Sequence, residues 1–280
     1  MNIKILSDST CDLSPAQLAE HNIDLARLTV IKAGEPFADG LTITPADIFA
    51  HVAAGGDLCS TTAINISEYE ELFTKYTADY DAVIHINLGS SFSSCHQNAK
   101  LAAEEYPNVY VVDSQNLSTG QGHVVLEACR LAKTCDSAEE IVEKLNDFAS
   151  RVEASFVLDQ LAYMAKGGRC SAVAALGANL LGLKPCIEVK GGKMGVVKKY
   201  RGSFAKCLAS YVKDRLADRD DIIRDELFLT YTTITDDALA AVKAGIEEHG
   251  HFSTVYETTA GCTVSCHCGP STLGVLFVRK

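Results

Sequence analysis

The chain has 280 residues, of which 47% are hydrophobic and 22% charged, and its formal net charge at pH 7 is −11. This length and composition predict a globular protein of about two domains with a sizeable core. The negative charge, with no block of Lys or Arg, argues against a nucleic-acid partner and against docking on anionic lipid, because both need a basic face.

The N-terminal residues lack the basic region, apolar core and cleavage site of a secretory signal. The longest apolar runs fall well short of a bilayer span. The eleven cysteines are odd in number and scattered among predicted core elements, which favours buried free thiols over disulfides. We therefore expect a cytoplasmic protein with no stable membrane insertion.

The first half of the chain alternates short apolar runs with amphipathic stretches. In chain order these predict a strand over 3–6, a helix over 15–21 that Ser14 caps, a strand over 25–31, a helix over 45–54, a helix carrying Tyr69, Leu72, Phe73 and Tyr76, a strand over 82–88, a helix from about Ser93, a strand over 109–112, a helix over 122–133 and a helix that Ser137 caps. Strands that alternate with helices at this spacing indicate βαβ units and a mostly parallel sheet.

The pattern changes from about residue 155 onwards. The second half predicts strands over 155–158, 227–233, 252–257, 262–266 and 273–279, helices over 159–165, 172–183, 203–217 and 236–248, and a hairpin over 187–197 that turns at two glycines. We therefore predict an α/β fold of two α/β domains, at residues 1–152 and 153–280, with a ligand cleft between them.

The loop Gly89–Gln97 is rich in hydroxyls and joins a predicted buried strand to a helix. Such a junction presents O–H groups and unpaired backbone N–H groups to one point, which favours an anion. Three interpretations stay open: the serines are caps and turn residues, one serine is a nucleophile, or the loop is a carboxylate or phosphate cradle. The nucleophile interpretation is weakened because Ser93 occupies the place of the second glycine in the G-x-S-x-G elbow.

Two other stretches contain polar side chains that are candidates for a binding site. The loop 59–67 is hydroxyl-rich and precedes a helix, which by itself is typical of capping and turns. The Cys-x3-Cys-His-Cys pattern at Cys262–Cys268 suggests zinc, but on a strand His267 points away from Cys266 and Cys268, so four tetrahedral ligands do not converge. We expect no metal, and we expect His267 to be a half-buried polar site at a strand end.

The sequence contains neither G-x-G-x-x-G nor G-x4-G-K-[ST] after a strand, and no paired carboxylates stand out. It therefore presents no complete catalytic constellation.

Several separated motifs, taken in order, resemble the DegV family over essentially the whole chain. They are Ser7-Asp8-Ser9, Thr61-Thr62, Ser90 to Gln97, Val112-Asp113-Ser114 with Gly120-x-Gly122, Lys166-Gly167-Gly168-Arg169, Lys184-Pro185, Arg201 and His267-Cys268-Gly269-Pro270. These proteins resemble the fatty-acid-binding subunits of bacterial fatty acid kinase. The resemblance implies a non-catalytic protein that holds a long-chain fatty acid, with no other cofactor, while a separate ATP-using kinase subunit phosphorylates the carboxylate for phospholipid synthesis.

The resemblance also implies the site residues. The family's T-S-Q-P-S loop matches 61–65, its S-G-L-S-G-T-Y-Q segment matches 90–97 and its H-x-G-P matches 267–270. The carboxylate-binding residues would then be Thr61, Thr62, Ser93, Ser94 and His267. The chain departs from the family at Ala63, Ile64, Ser91, Ser94, Cys95 and His96, which bears on loop shape and acyl-chain preference.

The energetics of a fatty acid suit neutral donors beside an apolar pocket. A tail of roughly fifteen methylenes gains on the order of 12 kcal/mol gross when buried, whereas a carboxylate that leaves water needs hydrogen-bond donors. We expect the tail pocket among Leu158, Met164, Leu176, Leu180 and Leu183, and we assign Arg169 and Arg201 to the surface that meets the kinase subunit.

Two rival functions remain. One is a serine hydrolase or acyltransferase that uses Ser93, or Ser91, with His267. The other is a redox or metal-binding protein built on Cys262, Cys266 and Cys268.

Overall fold

The computed structural model describes residues 1–175 and 182–280. The strands in these residues are β1 (Ile3–Asp8), β2 (Asp24–Ala26), β3 (Thr29–Lys32), β4 (Glu35–Ala38), β5 (Ser60–Thr62), β6 (Ala82–Asn87), β7 (Val109–Asp113), β8 (Val152–Leu158), β9 (Leu183–Lys190), β10 (Lys193–Arg201), β11 (Ile222–Tyr231), β12 (Thr254–Thr259) and β13 (Thr272–Arg279). The helices are α1 (Pro15–Glu20), α2 (Pro45–Ala53), α3 (Ile66–Thr77), α4 (Cys95–Ala103), α5 (Thr119–Leu131), α6 (Ala138–Arg151), α7 (Leu161–Gly167), α8 (Ser171–Ala174), α9 (Phe204–Leu216), α10 (Asp236–His249) and α11 (Cys262–Cys268).

The N-terminal sheet is parallel, with the strand order β2-β1-β6-β7. Every residue of β6 is buried, as expected for a central parallel strand that helices cover on both faces. The amphipathic helix α3 buries Tyr69, Phe73 and Tyr76 against this sheet. The side chains of Ser14 and Ser137 cap the N-termini of α1 and α6, respectively, which confirms both predicted helix starts.

The C-terminal sheet has six strands in the order β10-β9-β8-β13-β11-β12 and is antiparallel except between β11 and β12. The predicted hairpin is β9 and β10, joined at Gly191 and Gly192, whose φ angles are 55° and 72°. A third small sheet, β4-β3-β5, packs against α11. The prediction of two α/β domains with a parallel N-terminal sheet is confirmed.

Helix α5 connects the two larger sheets, because its almost wholly buried length contacts β1 and β6 on one side and β8 and β13 on the other. His123 in this helix bonds through Nε2 to the carbonyl of Leu276, at 3.1 Å. The division of the chain at residues 152 and 153 stays a prediction; along the chain that point falls at the start of β8.

The structure corrects three predicted elements of the chain. The predicted strand over 25–31 is two strands, β2 and β3, which belong to different sheets. The predicted loop at 59–67 contains the short strand β5. The predicted helix over 172–183 is wrong at its end, because Leu183 begins β9; residues 176–181 lie outside the described residues.

The predicted strand over 262–266 is also wrong, because these residues form the helix α11. The carboxylate of Asp39 accepts hydrogen bonds from the backbone N–H groups of Cys262 and Thr263, at 3.0 and 3.2 Å. These bonds satisfy donors that a helix start leaves unpaired. A residue more than two hundred positions away therefore overrides the local preference of this segment for a strand.

All eleven cysteines are among the described residues, and all are buried and free, which confirms the prediction of buried thiols. No helix within residues 1–175 and 182–280 combines the length and the apolar character that a membrane crossing needs.

Candidate functional site

A cavity of about 180 Å³ lies where the carboxyl ends of β1 and β6 meet β5, α7, β10 and α11. Clefts in open α/β sheets form at this edge, because loops diverge from the ends of neighbouring parallel strands. The cavity wall mixes hydroxyl-bearing and apolar side chains from both halves of the chain. Its lining residues are Thr10, Leu28, Thr61, Ala63, Leu88, Phe92, Ser93, Ser94, Leu117, Met164, Arg169, Met194, Thr263, Val264, His267 and Cys268.

Thr61 and His267, which are 206 positions apart, meet in this cavity. The Thr61 Oγ1 atom lies 2.9 Å from His267 Nε2. Thr61 is half-buried on β5, whereas the next residue, Thr62, is exposed and does not line the cavity. Successive side chains on a strand point to opposite faces, so only one of the two threonines can reach the cavity.

Ser93 and Ser94 line the same cavity, in the loop between β6 and α4. The Ser93 hydroxyl accepts a hydrogen bond from the backbone N–H of Cys95 at 3.3 Å. It also donates to the Cys95 sulfur at 3.2 Å. The serine therefore serves as a turn residue at the start of α4 and faces the cavity as well, so two of the three interpretations of this loop are compatible.

The Asp8 carboxylate fixes the start of that loop. It accepts from the backbone N–H of Leu88 at 2.8 Å and from the Tyr69 hydroxyl at 2.9 Å. Asn87 Nδ2 and His85 Nε2 complete its contacts. The sequence placed Asp8 at a strand end but gave no signal that its partners would be the residues that carry the serine loop.

His267 lies in α11, is half-buried as expected, and is neutral. Burial, and secondarily the positive charge of Arg169, lower the pKa of His267 to about 4. Its Nδ1 atom has no hydrogen-bond partner in the part of the chain that the structure describes. Gly167 lies against this ring atom so closely that an added Cβ would collide with it. The ring therefore has space only because position 167 lacks a side chain.

Of the two arginines assigned to a partner surface, only Arg169 lies at the cavity. It is exposed, and it donates to the carbonyl of Gly167 at 2.6 Å and to that of Phe92 at 3.4 Å. Arg201 is exposed at the end of β10 and does not line the cavity. The two guanidinium groups therefore differ in position, because one lies at the cavity and the other does not.

The predicted tail-pocket residues are only partly brought together. Met164 lines the cavity, and Leu158 packs in the same buried cluster. Leu183 is half-buried on β9 and is not part of the wall, while Leu176 and Leu180 lie outside the described residues. The apolar wall comes instead from several elements, and sequence reasoning missed Leu28, Leu88, Phe92, Leu117, Met194 and Val264.

The geometry does not favour a serine nucleophile. His267 Nε2 contacts Thr61, and neither Ser91 nor Ser93 has a hydrogen bond to the imidazole among the described residues. The Ser91 side chain is exposed and is absent from the described cavity wall. A base that activates a nucleophile must reach its proton, and here the ring bonds a different hydroxyl.

The cysteines of α11 do not form a metal site. No group of three or more His, Cys, Asp or Glu side chains is placed to hold a metal ion within residues 1–175 and 182–280. Burial raises the pKa of Cys262 and Cys268 to about 12, which leaves both as unreactive thiols. The argument against zinc from strand alternation was wrong in its premise, because the segment is a helix.

Comparison with known proteins gives a consistent result. The family model "Uncharacterised protein, DegV family" matches residues 2–280. A DegV domain-containing protein of Clostridium acetobutylicum is 32% identical over 281 residues, which cover 99% of both chains.

Solved structures share the fold over the full length. One is described as fatty acid binding of a DegV family protein from Thermus thermophilus; it is 25% identical, covers 100% of both chains and superposes with a TM-score of 0.90. Another is described as DegV, a fatty acid binding protein from Bacillus subtilis, with 25% identity, 100% coverage of both chains and a TM-score of 0.83.

Proposed function

The chain belongs to the DegV family, and on that premise we propose that it binds a long-chain fatty acid. The carboxylate lies among Thr61, Ser93, Ser94 and His267, and the tail lies against the apolar wall. Thr62, which is exposed, has no part in this site. The observation that carries the proposal is the hydrogen bond between Thr61 and His267 at the edge of a cavity that is otherwise largely apolar.

The Thr61–His267 pair suits an acid head because it leaves a donor free. With the proton assigned to Nε2, the neutral imidazole donates to Thr61 Oγ1, and the threonine O–H then points its hydrogen at the ligand. Ser94 adds a hydroxyl from the facing loop, and Ser93 adds a second once its hydrogen turns from the Cys95 sulfur to the ligand. A carboxylate that loses its water needs such donors, since leaving it unpaired costs several kcal/mol.

The tail requires more room than the described cavity provides. Its volume of about 180 Å³ is close to that of the roughly 150 Å³ cavity that holds one benzene ring. Leu117, Val264 and Cys268 also border a second space of about 30 Å³. We propose that this shared wall opens when a full-length tail enters.

Presentation of the acid to an ATP-dependent kinase subunit is the finer part of the proposal. The head group lies at the end of the cavity where Arg169 is exposed, so a partner that docks there reaches the carboxylate. Arg201 extends the positive charge of that half of the molecule. The chain itself is not the catalyst in this proposal, because neither Ser91 nor Ser93 has a hydrogen bond to the His267 imidazole among the described residues.

Native mass spectrometry of the delipidated protein tests binding. Titration with hexadecanoic or octadecenoic acid is expected to give a one-to-one adduct. The absence of any adduct contradicts the proposal, and so does covalent labelling of a serine by a fluorophosphonate probe.

The kinase step is tested separately with ATP and a DegV-associated kinase subunit. Acyl phosphate is expected only when the fatty acid, this protein and the kinase are all present. An adduct without phosphorylation leaves fatty acid binding intact and removes the presenting role.

A further inference from the structure

The hydroxyl of Thr263 is a polar group that the proposed head-group site does not use. Thr263 lies in the first turn of α11, is 5% exposed and lines the cavity. Its backbone N–H is already bound by Asp39, but its Oγ1 atom has no hydrogen-bond partner among the described residues. Buried hydroxyls are normally paired, because an unpaired one forfeits the hydrogen bonds it made to water.

The position of Thr263 along α11 separates it from the head group. It precedes His267 by four residues, and side chains four apart share one side of a helix, about 6 Å apart along the axis. His267 marks the head end of the cavity through its bond to Thr61. Thr263 therefore places a second polar group one helical turn further along the same wall.

Thr10 is the neighbouring hydroxyl on this part of the wall. It is 1% exposed and lines the cavity, and its Oγ1 donates to Gln121 Oε1 at 2.8 Å. Its hydrogen is thus committed, and it offers the cavity only an acceptor. The segments that carry the two threonines pack against each other, and one oxygen of Asp39 joins them by accepting from both Thr263 N–H and the hydroxyl of Ser9.

A ligand hydroxyl matches this pair better than a carbonyl or an ether does. It can donate to Thr10 Oγ1 and accept from the Thr263 O–H at the same time. Rotation about χ1 exchanges the hydroxyl and methyl positions of Thr263, and threonine populates more than one such rotamer in helices. The oxygen can therefore turn to the ligand without movement of the helix.

We propose that the preferred ligand is a fatty acid with a hydroxyl on one of its first few carbons, and that Thr263 and Thr10 bind this hydroxyl. The inference rests on the proposed function, because it assumes an acid head beside Thr61 and His267. A plain fatty acid lays a methylene against the unpaired oxygen, whereas the hydroxy acid forms a hydrogen bond there. One such bond corresponds to about a tenfold difference in affinity.

The test is displacement of a fluorescent fatty acid from the delipidated full-length protein. The competitors are octadecanoic acid and its 2-hydroxy, 3-hydroxy and 12-hydroxy derivatives. At least one of the 2-hydroxy and 3-hydroxy acids is expected to bind about tenfold more tightly than octadecanoic acid. The 12-hydroxy acid, whose hydroxyl lies far from the head, is expected to bind no more tightly.

Two variants assign the preference to Thr263. Thr263→Val removes the hydroxyl at nearly constant shape and is expected to abolish the preference while plain octadecanoic acid still binds. Thr263→Ser keeps the hydroxyl and is expected to keep the preference. Because the hydroxyl is unpaired in the free protein, Thr263→Val is also expected to melt at the wild-type temperature or above.

Three results overturn the inference: equal affinities for the plain acid and both near-head hydroxy acids, an unchanged preference in Thr263→Val, or a lower melting temperature of that variant. Each of them leaves fatty acid binding in place. If none of the acids binds, the proposed function itself fails.

Discussion

Two neighbouring regions of the molecule present hydrogen-bond donors to a carboxylate. Around Asp8 the donors bind a carboxylate of the chain itself, whereas those of the cavity are proposed to bind the carboxylate of a ligand. The Asp8 carboxylate is fully buried and accepts from Tyr69, His85, Asn87 and Leu88, with no Lys or Arg in contact among the described residues. The cavity lies on the other side of Leu88 and offers hydroxyls without an acid. The chain thus holds its own buried acid with no Lys or Arg in contact among the described residues, by side-chain and backbone donors of the kinds proposed for the ligand.

The largest expected effect is on the internal carboxylate. Asp8→Ala leaves the buried donors of Tyr69, His85 and Leu88 without their acceptor and is expected to lower the free energy of unfolding by about 4 kcal/mol. Urea denaturation followed by circular dichroism measures it. Asp79→Ala, which removes an exposed carboxylate, is the control and is expected to change stability by less than about 0.5 kcal/mol.

If Asp8→Ala is no more destabilising than its control, the donors around Asp8 have other partners. The Asp8 carboxylate is then not a valid comparison for the carboxylate that is proposed to bind in the cavity.

The second effect concerns pH and the neutral imidazoles of His123 and His267. Burial lowers the pKa of His123 and of His267 to about 4, below the value near 6.5 of an unfolded chain. Between these values the unfolded chain binds the proton and the folded one does not, so stability is lost as pH falls from about 6.5 to about 4. Each histidine accounts for up to about 3 kcal/mol of that loss.

His123→Gln isolates one imidazole, because glutamine can still donate to the Leu276 carbonyl. Denaturation curves at pH 7 and pH 4.5 are expected to show a smaller loss of stability in the variant than in the wild type. Equal losses in both proteins would show that His123 does not titrate below its ordinary range.

The third effect separates the two threonines of β5. Thr61→Val is expected to weaken fatty acid binding by about 2 kcal/mol, or roughly thirtyfold, because it removes a donor to a charged head group. Thr62→Val is the matched control, since Thr62 is adjacent but exposed, and it is expected to leave the affinity unchanged. Isothermal titration calorimetry with hexadecanoic acid measures both, and equal effects would place the carboxylate elsewhere.

The smallest effect compares two serines that each accept a backbone N–H at a helix start. Ser137 accepts from Glu140 N at 3.2 Å and does not line the cavity. Ser137→Ala is expected to cost about 1 kcal/mol of stability and no ligand affinity. Ser93→Ala is expected to weaken ligand binding about tenfold. Thermal melts and ligand titrations of both variants measure the effects on stability and on affinity. If Ser93 is only a cap, Ser93→Ala leaves the ligand affinity unchanged, as Ser137→Ala does.

The parallel sheet could be predicted from sequence because its evidence is local. The buried strands β1 and β6 are short apolar runs, and the caps at Ser14 and Ser137 directly precede their helices. Helix α11 could not be predicted in this way, because Asp39, which caps it, lies 223 positions from Cys262. Local preference decides an element only where no distant partner intervenes.

The candidate site likewise has features that the local sequence suggests and features that depend on contacts between distant residues. Spacing alone left the serine loop with three interpretations, and only resemblance to a family associated Thr61, Ser93 and His267. The apolar wall joins Leu28, Leu117 and Met194 from distant parts of the chain, so it depends on packing that no single segment encodes. Asp8 could be placed at a strand end, but its contact with Tyr69 depends on how α3 packs on the sheet, and its other contacts depend on the pairing of β1 with β6.

The most direct test is a crystal structure of the protein with a bound long-chain fatty acid. The account predicts continuous density for the tail along Leu117, Met164 and Val264, with the carboxylate within hydrogen-bond distance of Thr61 Oγ1 and Ser93 Oγ. Density with the methyl end at these hydroxyls, or a fatty acid bound outside this cavity, would contradict it.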